Sequence, residues 1–304
     1  YLDIITGYLR HLRSLAEQAG GQPLNQVVMG RPVFFVDDEP ERDAAAQASL
    51  EAAARAVGFT EVAFQFEPIA AAFDYEQHAQ KEELVLVADI GGGTSDFSVV
   101  RVGPQRAARL ERRDDILANH GVHIAGTDFD RRVSLASVMP PLGYGAFGPS
   151  IGGQAPRPVP SRVYFDLATW HLINTVYQPQ RMAELRSMVD FYGNPVHHQR
   201  LMKVVRERLG HALVGRAEAA KIAVAEGGDT DIDLTLIEAG LHSPLSGAQA
   251  EAALHDDLAR IVACAHETVA QAGIPASDIS ALYFTGGSTG LKLLTDQLEA
   301  AFPG

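Results

Sequence analysis

The segment Leu84–Val102, LVLVADIGGGTSDFSVVRV, constrains this chain more than any other. An apolar run ends in Asp89, three consecutive glycines follow, and a second run opens with hydroxyls and another acid, Asp96. Two such runs around a short glycine turn read as a β-hairpin whose first strand is buried. The turn also suits an anion. Glycines at 91, 92 and 93 admit backbone conformations closed to other residues, so N–H groups can converge on a phosphate without Cβ atoms in the way. Thr94 and Ser95 add hydroxyl donors, and Asp89 stands where it can hold a hydrated divalent cation beside the phosphates. Two other phosphate loops are excluded, because the turn has no G-x-x-x-x-G-K-[ST] and no G-x-G-x-x-G, and a strand rather than a helix follows it. On the turn alone, a plain hairpin and a phosphate loop both remain open.

Three further segments extend the pattern. Upstream, the run Val62–Phe66 leads into Glu67-Pro68-Ile69-Ala70-Ala71-Ala72-Phe73, where proline suits a first helical turn and Glu67 sits at the strand-to-helix junction. Downstream, His123-Ile124-Ala125-Gly126-Thr127-Asp128-Phe129-Asp130 is a second glycine and acid turn opening a helix. Near the end, Leu282-Tyr283-Phe284-Thr285-Gly286-Gly287-Ser288-Thr289 repeats the strand-then-glycine form. Each of these is common by itself.

In this order the segments resemble the nucleotide-binding domain of the seventy-kilodalton heat-shock chaperones, within the actin-like and sugar-kinase-like ATPase superfamily. DIGGGTSDFS at 89–98 resembles that family's second phosphate loop, EPIAAAFDYE at 67–76 its connecting helix, and FTGGST at 284–289 its adenosine loop. VVMGRPV at 27–33, AGTDFD at 125–130 and RAEAAKIAVA at 216–225 are most similar to the YegD-like branch, which has the ATPase domain without the usual peptide-binding domain. The resemblance implies an α/β fold of the actin-like ATPase (ribonuclease H-like) type with two lobes, binding ATP or ADP with Mg2+ between them. It implies that Gly91, Gly92, Gly93, Thr94 and Ser95 hold the β- and γ-phosphates, and that Asp89 binds magnesium through water. Glu67, with Asp89 and Asp96 as its catalytic companions, would orient the magnesium shell or the attacking water. Gly126 and Thr127 would close over the phosphates, Glu218 and Lys221 would contact ribose and purine, and Gly286, Gly287 and Ser288 would underlie the nucleoside. Read from the helix alone, Glu218 and Lys221 equally form a surface ion pair.

Two departures accompany the resemblance. Ile222 and Gly290 stand where the family usually has arginines that sandwich the adenine, so purine selectivity is open. A guanidinium on a purine contributes roughly 0.5–2 kcal/mol. Nothing corresponds to the family's first phosphate loop or to its γ-phosphate lysine, because a helical pattern of Ile4, Ile5, Tyr8, Leu9, Leu12 and Leu15 begins at once. The expectation is therefore a fragment with lobe one incomplete that is inactive as it stands, ATP hydrolysis belonging to the intact protein. Residues 1–83 are expected to be the remnant of lobe one, 84–130 and 275–304 the core of lobe two, and 131–274 its mostly helical outer subdomain. An exposed strand edge near Gln26–Phe35 or Val62–Phe66 is expected to promote self-association.

Composition narrows the partners. A formal charge of −13 without a basic stripe argues against nucleic acid. The single Cys264 suits a reducing, cytoplasmic setting, and no apolar run approaches membrane-spanning length. Client or co-chaperone proteins are the macromolecular partners that the resemblance implies. A sugar or acetate kinase of the same superfamily and a non-hydrolysing actin-like scaffold are the alternative readings. The stretch 140–160, with six prolines, is expected to be irregular. His197–His198, the pair His120 and His123, and the acidic turn Asp37-Asp38-Glu39 are expected to be capping, solvated or loop residues. The stripe Leu254, Leu258, Ile261 and Val262 is expected to pack in a core.

Overall fold

The computed structural model describes residues 2–36, 39–109, 111–150, 152 and 154–302, so Asp37 and Asp38 of the acidic turn lie outside the described residues. The chain opens with helix α1 (Leu2–Gly20), strand β1 (Gln26–Arg31), helix α2 (Pro40–Val57), strand β2 (Glu61–Phe66) and helix α3 (Glu67–His78). β1 stops at Arg31 rather than running to Phe35, because Pro32 has no N–H for the ladder. α2 starts on Pro40, four residues before its alanine run, and ends at Gly58 in the left-handed conformation with φ +109°. β1 and β2 are parallel and form a two-stranded sheet of their own.

The hairpin forms as its sequence requires. β3 (Glu83–Ile90) and β4 (Ser95–Val102) are antiparallel, β5 (Ile116–Val122) follows on the far side of β4, and β8 (Ile279–Thr285) lies parallel to β3. The sheet order is β5-β4-β3-β8. Between β5 and β8 come mainly helices, with one short antiparallel pair, β6 (Thr230–Asp233) and β7 (His242–Leu245).

Both faces of the four-stranded sheet are covered, which is why β3 is apolar on consecutive residues. Leu86, Ala88 and Ile90 pack with Phe97 and Val99 against helices Gly247–Gln271 and Lys292–Ala301. Val85 and Val87 pack with Val100 and Val102 against Ile69 and Ala72 of α3. Each such valine, leucine or isoleucine contributes roughly 1.5–3 kcal/mol on burial. The predicted stripe on the long helix is core, since Leu254, Leu258 and Ile261 are buried. That helix starts at a capping box in which Ser246 and Gln249 exchange hydrogen bonds of 2.9 and 3.2 Å. A third core joins Tyr164, Leu167, Leu201, Leu213 and Leu142 in the helical part after residue 133.

The far end of α3 is fixed by buried charge. Arg112 reaches Glu76 of α3 through two hydrogen bonds of 2.8 and 3.0 Å and also binds Asp115, which Arg106 meets at 2.8 Å. Glu76 additionally accepts the N–H of Gly103 at 3.0 Å. A bidentate pair that leaves few polar atoms unmet is the geometry in which buried ions are tolerated. The helix is thereby tied to the turns that flank β4 and β5, and its first residue, Glu67, is delivered to the end of the sheet.

Candidate functional site

The strand ladders put acids side by side. Asp89 of β3 and Asp96 of β4 are direct cross-strand partners, flanked in register by Thr285 of β8 and Gly121 of β5. With Glu67 they line a cavity of about 330 Å³, whose wall also includes Pro32, Val33, Phe34, Phe35, Thr94, His120 and His123. None of the three carboxylates forms an ion pair or side-chain hydrogen bond among the described residues. Partial burial, then the charges of Asp89 and Asp96, push the Glu67 carboxyl up from its ordinary range. Partial burial, then Asp96, does the same to Asp89. Like charges directly opposite on a sheet destabilise it, so this cluster is a cost that the fold bears.

Three segments distant in sequence meet at the glycine turn. The carbonyl of Gly91 accepts from Gly126 N–H at 3.3 Å and from Ser288 Oγ at 2.7 Å. The carbonyl of Gly92 accepts from Thr127 N–H at 2.7 Å and Thr127 Oγ1 at 2.8 Å. Ser288 N–H closes on the Ile90 carbonyl at 3.0 Å, and Gly91 N–H on the Thr94 carbonyl at 3.0 Å. The carbonyls of Ile90, Gly91, Gly92 and Thr94 are thus spent on protein, whereas the N–H groups of Gly92, Gly93 and Thr94 have no acceptor among the described residues. A turn with most of its acceptors pinned and three consecutive donors open offers those donors to an acceptor from outside the chain.

The reason for glycine differs from the sequence expectation. None of Gly91, Gly92 and Gly93 has positive φ. A Cβ at Gly92 would lie 4.0 Å from its nearest neighbour, Thr127 Cγ2, and one at Gly93 would meet nothing within 4 Å. The protein leaves that space open, and the conformation does not require glycine. Gly286 is the opposite case: its φ is +92°, and a Cβ there would strike the Ile90 carbonyl oxygen. Gly126 is also bound by packing, since a Cβ would meet Ser288 Oγ.

A second cavity, about 510 Å³, opens on the other side of the turn. Gly91, Gly92, Gly126, Thr127, Glu218, Lys221, Gly287 and Ser288 line it together with Asp130, Ile222 and Gly290. Glu218, Lys221, Ile222 and Ala225 form one stripe of helix Gly210–Ala225. Lys221 does not pair with Glu218; its Nζ lies 2.7 Å from Asp130 Oδ1, and both side chains are largely buried. Burial still leaves the Asp130 carboxyl above its ordinary range despite the ion pair with Lys221.

The expected donor Ser95 is corrected. Its side chain is fully buried and its Oγ donates to the Ile124 carbonyl at 2.7 Å, so it fastens the turn from behind and faces neither cavity. His123 lines the acidic cavity, His120 approaches Glu267 at 3.4 Å, and buried His198 bonds the Leu185 carbonyl. Gly121 was missed by the sequence reading. A Cβ there would clash with the Asp96 carboxylate, a requirement visible only once β5 is paired with β4. Asp130 could have been read from the DFD that follows Gly126.

Residues 3–136, which include the acidic cluster and the glycine turn, match the family model described as Hsp70 protein. Over that stretch the chain is similar to the Hsp70 family. It is 34% identical over 125 residues to "Chaperone protein dnaK" of Cyanophora paradoxa, covering 40% of this chain and 18% of that one. It is 36% identical over 133 residues to "Chaperone protein DnaK" of Prochlorococcus marinus (strain MIT 9515), covering 42% of this chain and 19% of that one. The Hsp70 match ends before Glu218, Lys221 and Gly286, so the second cavity rests on the geometry above.

Proposed function

We propose that this Hsp70-like chain binds ATP or ADP with its phosphates on the turn Gly91–Thr94, and that the site belongs to a chaperone-type ATPase. The observation that carries this reading is the run of three open N–H groups at Gly92, Gly93 and Thr94, beside the pinned carbonyls of Ile90, Gly91, Gly92 and Thr94. The triphosphate is placed between the two cavities, with its γ end toward Glu67, Asp89 and Asp96 and its nucleoside toward Glu218, Lys221 and Gly286–Ser288.

The unpaired acids fit a magnesium ion. Among the described residues no three His, Cys, Asp or Glu side chains converge closely enough to chelate a metal directly, which favours binding through water, with Asp89 as the anchor. When bound, such an ion neutralises phosphate charge and lowers the barrier to displacement. The Glu67 carboxylate orients water at the γ end, Asp89 and Asp96 fix its surroundings, and Thr94 contributes its N–H and hydroxyl to the phosphate.

We further assign 1–83 to lobe one, 84–130 with 275–304 to the core of lobe two, and 131–274 to its outer subdomain, in the YegD-like branch. Cytoplasmic residence, and clients or co-chaperones as partners, are part of this proposal. It is supported by a single buried cysteine, by the chaperone relatives, and by the absence among the described residues of any helix long and apolar enough to cross a membrane. Calorimetric titration with ATP and ADP, with and without Mg2+, tests it. Saturable binding that is lost in Gly92→Val supports the site, and no binding by the folded wild-type chain overturns it.

A further inference from the structure

One buried guanidinium is unaccounted for by the fold's ordinary needs. Arg31, the last residue of β1, is 7% exposed and sits with its Cζ 5.1 Å from the ring centroids of both Phe35 and Phe66. It donates to Asp43 at 2.9 Å, to the Pro32 and Val33 carbonyls at 3.0 and 3.2 Å, and to Gln47. Asp43 is fixed in turn by the Phe35 N–H at 2.5 Å. Burial alone would push the Asp43 carboxyl up, but the Arg31 bond and the neighbouring backbone N–H groups leave it below its ordinary range. Arg113 also lies 5.9 Å from the Phe66 ring and 6.0 Å from that of Phe34. Rings and guanidiniums therefore neighbour one another from the Pro32–Phe35 loop, through the end of β2, to the residues before β5.

The stack ends one residue from Glu67. Arg31 is the register partner of Phe66, and the residue before it, Gly30, lies against the Glu67 side chain, since a Cβ at Gly30 would be 3.4 Å from Glu67 Cγ and 3.5 Å from Oε1. Consecutive residues of β1 thus meet Phe66, the last residue of β2, and Glu67, the first of α3. Glu67 has no hydrogen-bond partner of its own among the described residues, so its position depends on what surrounds it. Asp89 and Asp96 face it from β3 and β4, and His120 and His123 share its cavity.

We propose that Arg31 is a positioning residue for Glu67. Held by Asp43 and clamped between Phe35 and Phe66, it fixes both the start of α3 and the Pro32–Phe35 wall, so that the Glu67 carboxylate stands at the γ-phosphate end of the cavity. The inference rests on the proposed role of Glu67, and the test separates the two. Arg31→Lys keeps the charge and the Asp43 partner while losing the planar stack, and Phe66→Leu removes one ring while keeping an apolar residue. Crystal structures of both variants are expected to show the Glu67 carboxylate displaced by about 1 Å relative to Asp89, with the glycine turn unchanged. ATP affinity is expected to stay within about twofold of wild type while the single-turnover rate falls on the order of ten- to a hundredfold. In a Glu67→Ala background, Arg31→Lys is expected to have no further effect on that rate, because the two act as a unit. An unmoved Glu67 in a folded Arg31→Lys protein overturns the positioning role whether or not the chain hydrolyses ATP. Equal losses in the presence and absence of Glu67 also overturn it. In a wild-type chain that does not turn over ATP, the position of the Glu67 carboxylate in the two variant structures decides what Arg31 does.

Discussion

Replacing Gly92 by valine separates a phosphate cradle from a hairpin turn, because the structure makes the two readings diverge. Gly92 lacks positive φ, and the nearest atom to an added Cβ is 4.0 Å away. Folding should therefore change by no more than about 0.5 kcal/mol, as for other surface substitutions. Gly92→Ala should match or exceed the wild type, because an alanine reduces the freedom of the unfolded chain by about 0.4–1 kcal/mol. Binding is the reverse. A valine occupies the space in front of the Gly92 and Gly93 N–H groups, and a hydrogen bond to a charged acceptor contributes roughly 1.5–3 kcal/mol. Loss of two costs about 3–6 kcal/mol, a weakening on the order of 10²- to 10⁴-fold in Kd. Calorimetry with Mg-ATP and melting curves on the three proteins measure both sides. Gly286→Ala is the control with the opposite signature, because its Cβ would strike the Ile90 carbonyl at positive φ, and it should lose stability by about 1–3 kcal/mol. An ATP Kd within about threefold of wild type in a well-folded Gly92→Val protein refutes the reasoning.

Glu67→Ala should leave Mg-ATP affinity nearly intact and slow single-turnover hydrolysis, as expected for a group whose contribution grows on the way to the transition state; a proportional loss of affinity would contradict that role. Asp89→Asn should stabilise the nucleotide-free protein by about 0.2–1 kcal/mol at neutral pH by removing one of two opposed like charges. The Asp89 carboxyl is raised in the folded state, so the native form binds the proton more tightly than the unfolded chain and stability falls as pH rises through that interval. The advantage of Asp89→Asn should therefore vanish in acid below the ordinary aspartate range, and melting curves at both pH values check it. Lys221→Met strands Asp130 as a buried charge and should cost about 3–5 kcal/mol, largely restored by adding Asp130→Asn. Val28 on β1 is 71% exposed beside an open two-stranded sheet, so sedimentation velocity should show self-association that Val28→Lys reduces.

Much of this site was legible in the sequence because its parts are local. The Leu84–Val102 hairpin, the Glu67 junction and the Gly126 and Gly286 turns each carry their glycine, acid or proline within a few residues. What could not be read is what depends on partners far along the chain. Ser95 was taken for a donor at the turn because its neighbours are, yet strand alternation turns it toward the Ile124 carbonyl. Helical spacing left Lys221 open to a surface pair with Glu218, and the carboxylate it meets instead, Asp130, lies 91 positions earlier. Gly91–Gly93 were explained by backbone freedom, whereas the open space in front of them is visible only when the surrounding side chains are in place. The role of Gly121 appears only with the β4–β5 register.

The buried charges at the far end of α3 restrict how this sequence can change over time. Glu76, Arg112 and Asp115 are each at most 5% exposed and bonded to one another, with Arg106 at the margin. Removing any one leaves a partner charged in a dry setting, at about 3–5 kcal/mol, a large share of a typical domain's whole stability. An apolar replacement becomes tolerable only when several positions change together. Single-step drift should thus be nearly closed at these positions, and substitutions there should arrive as sets.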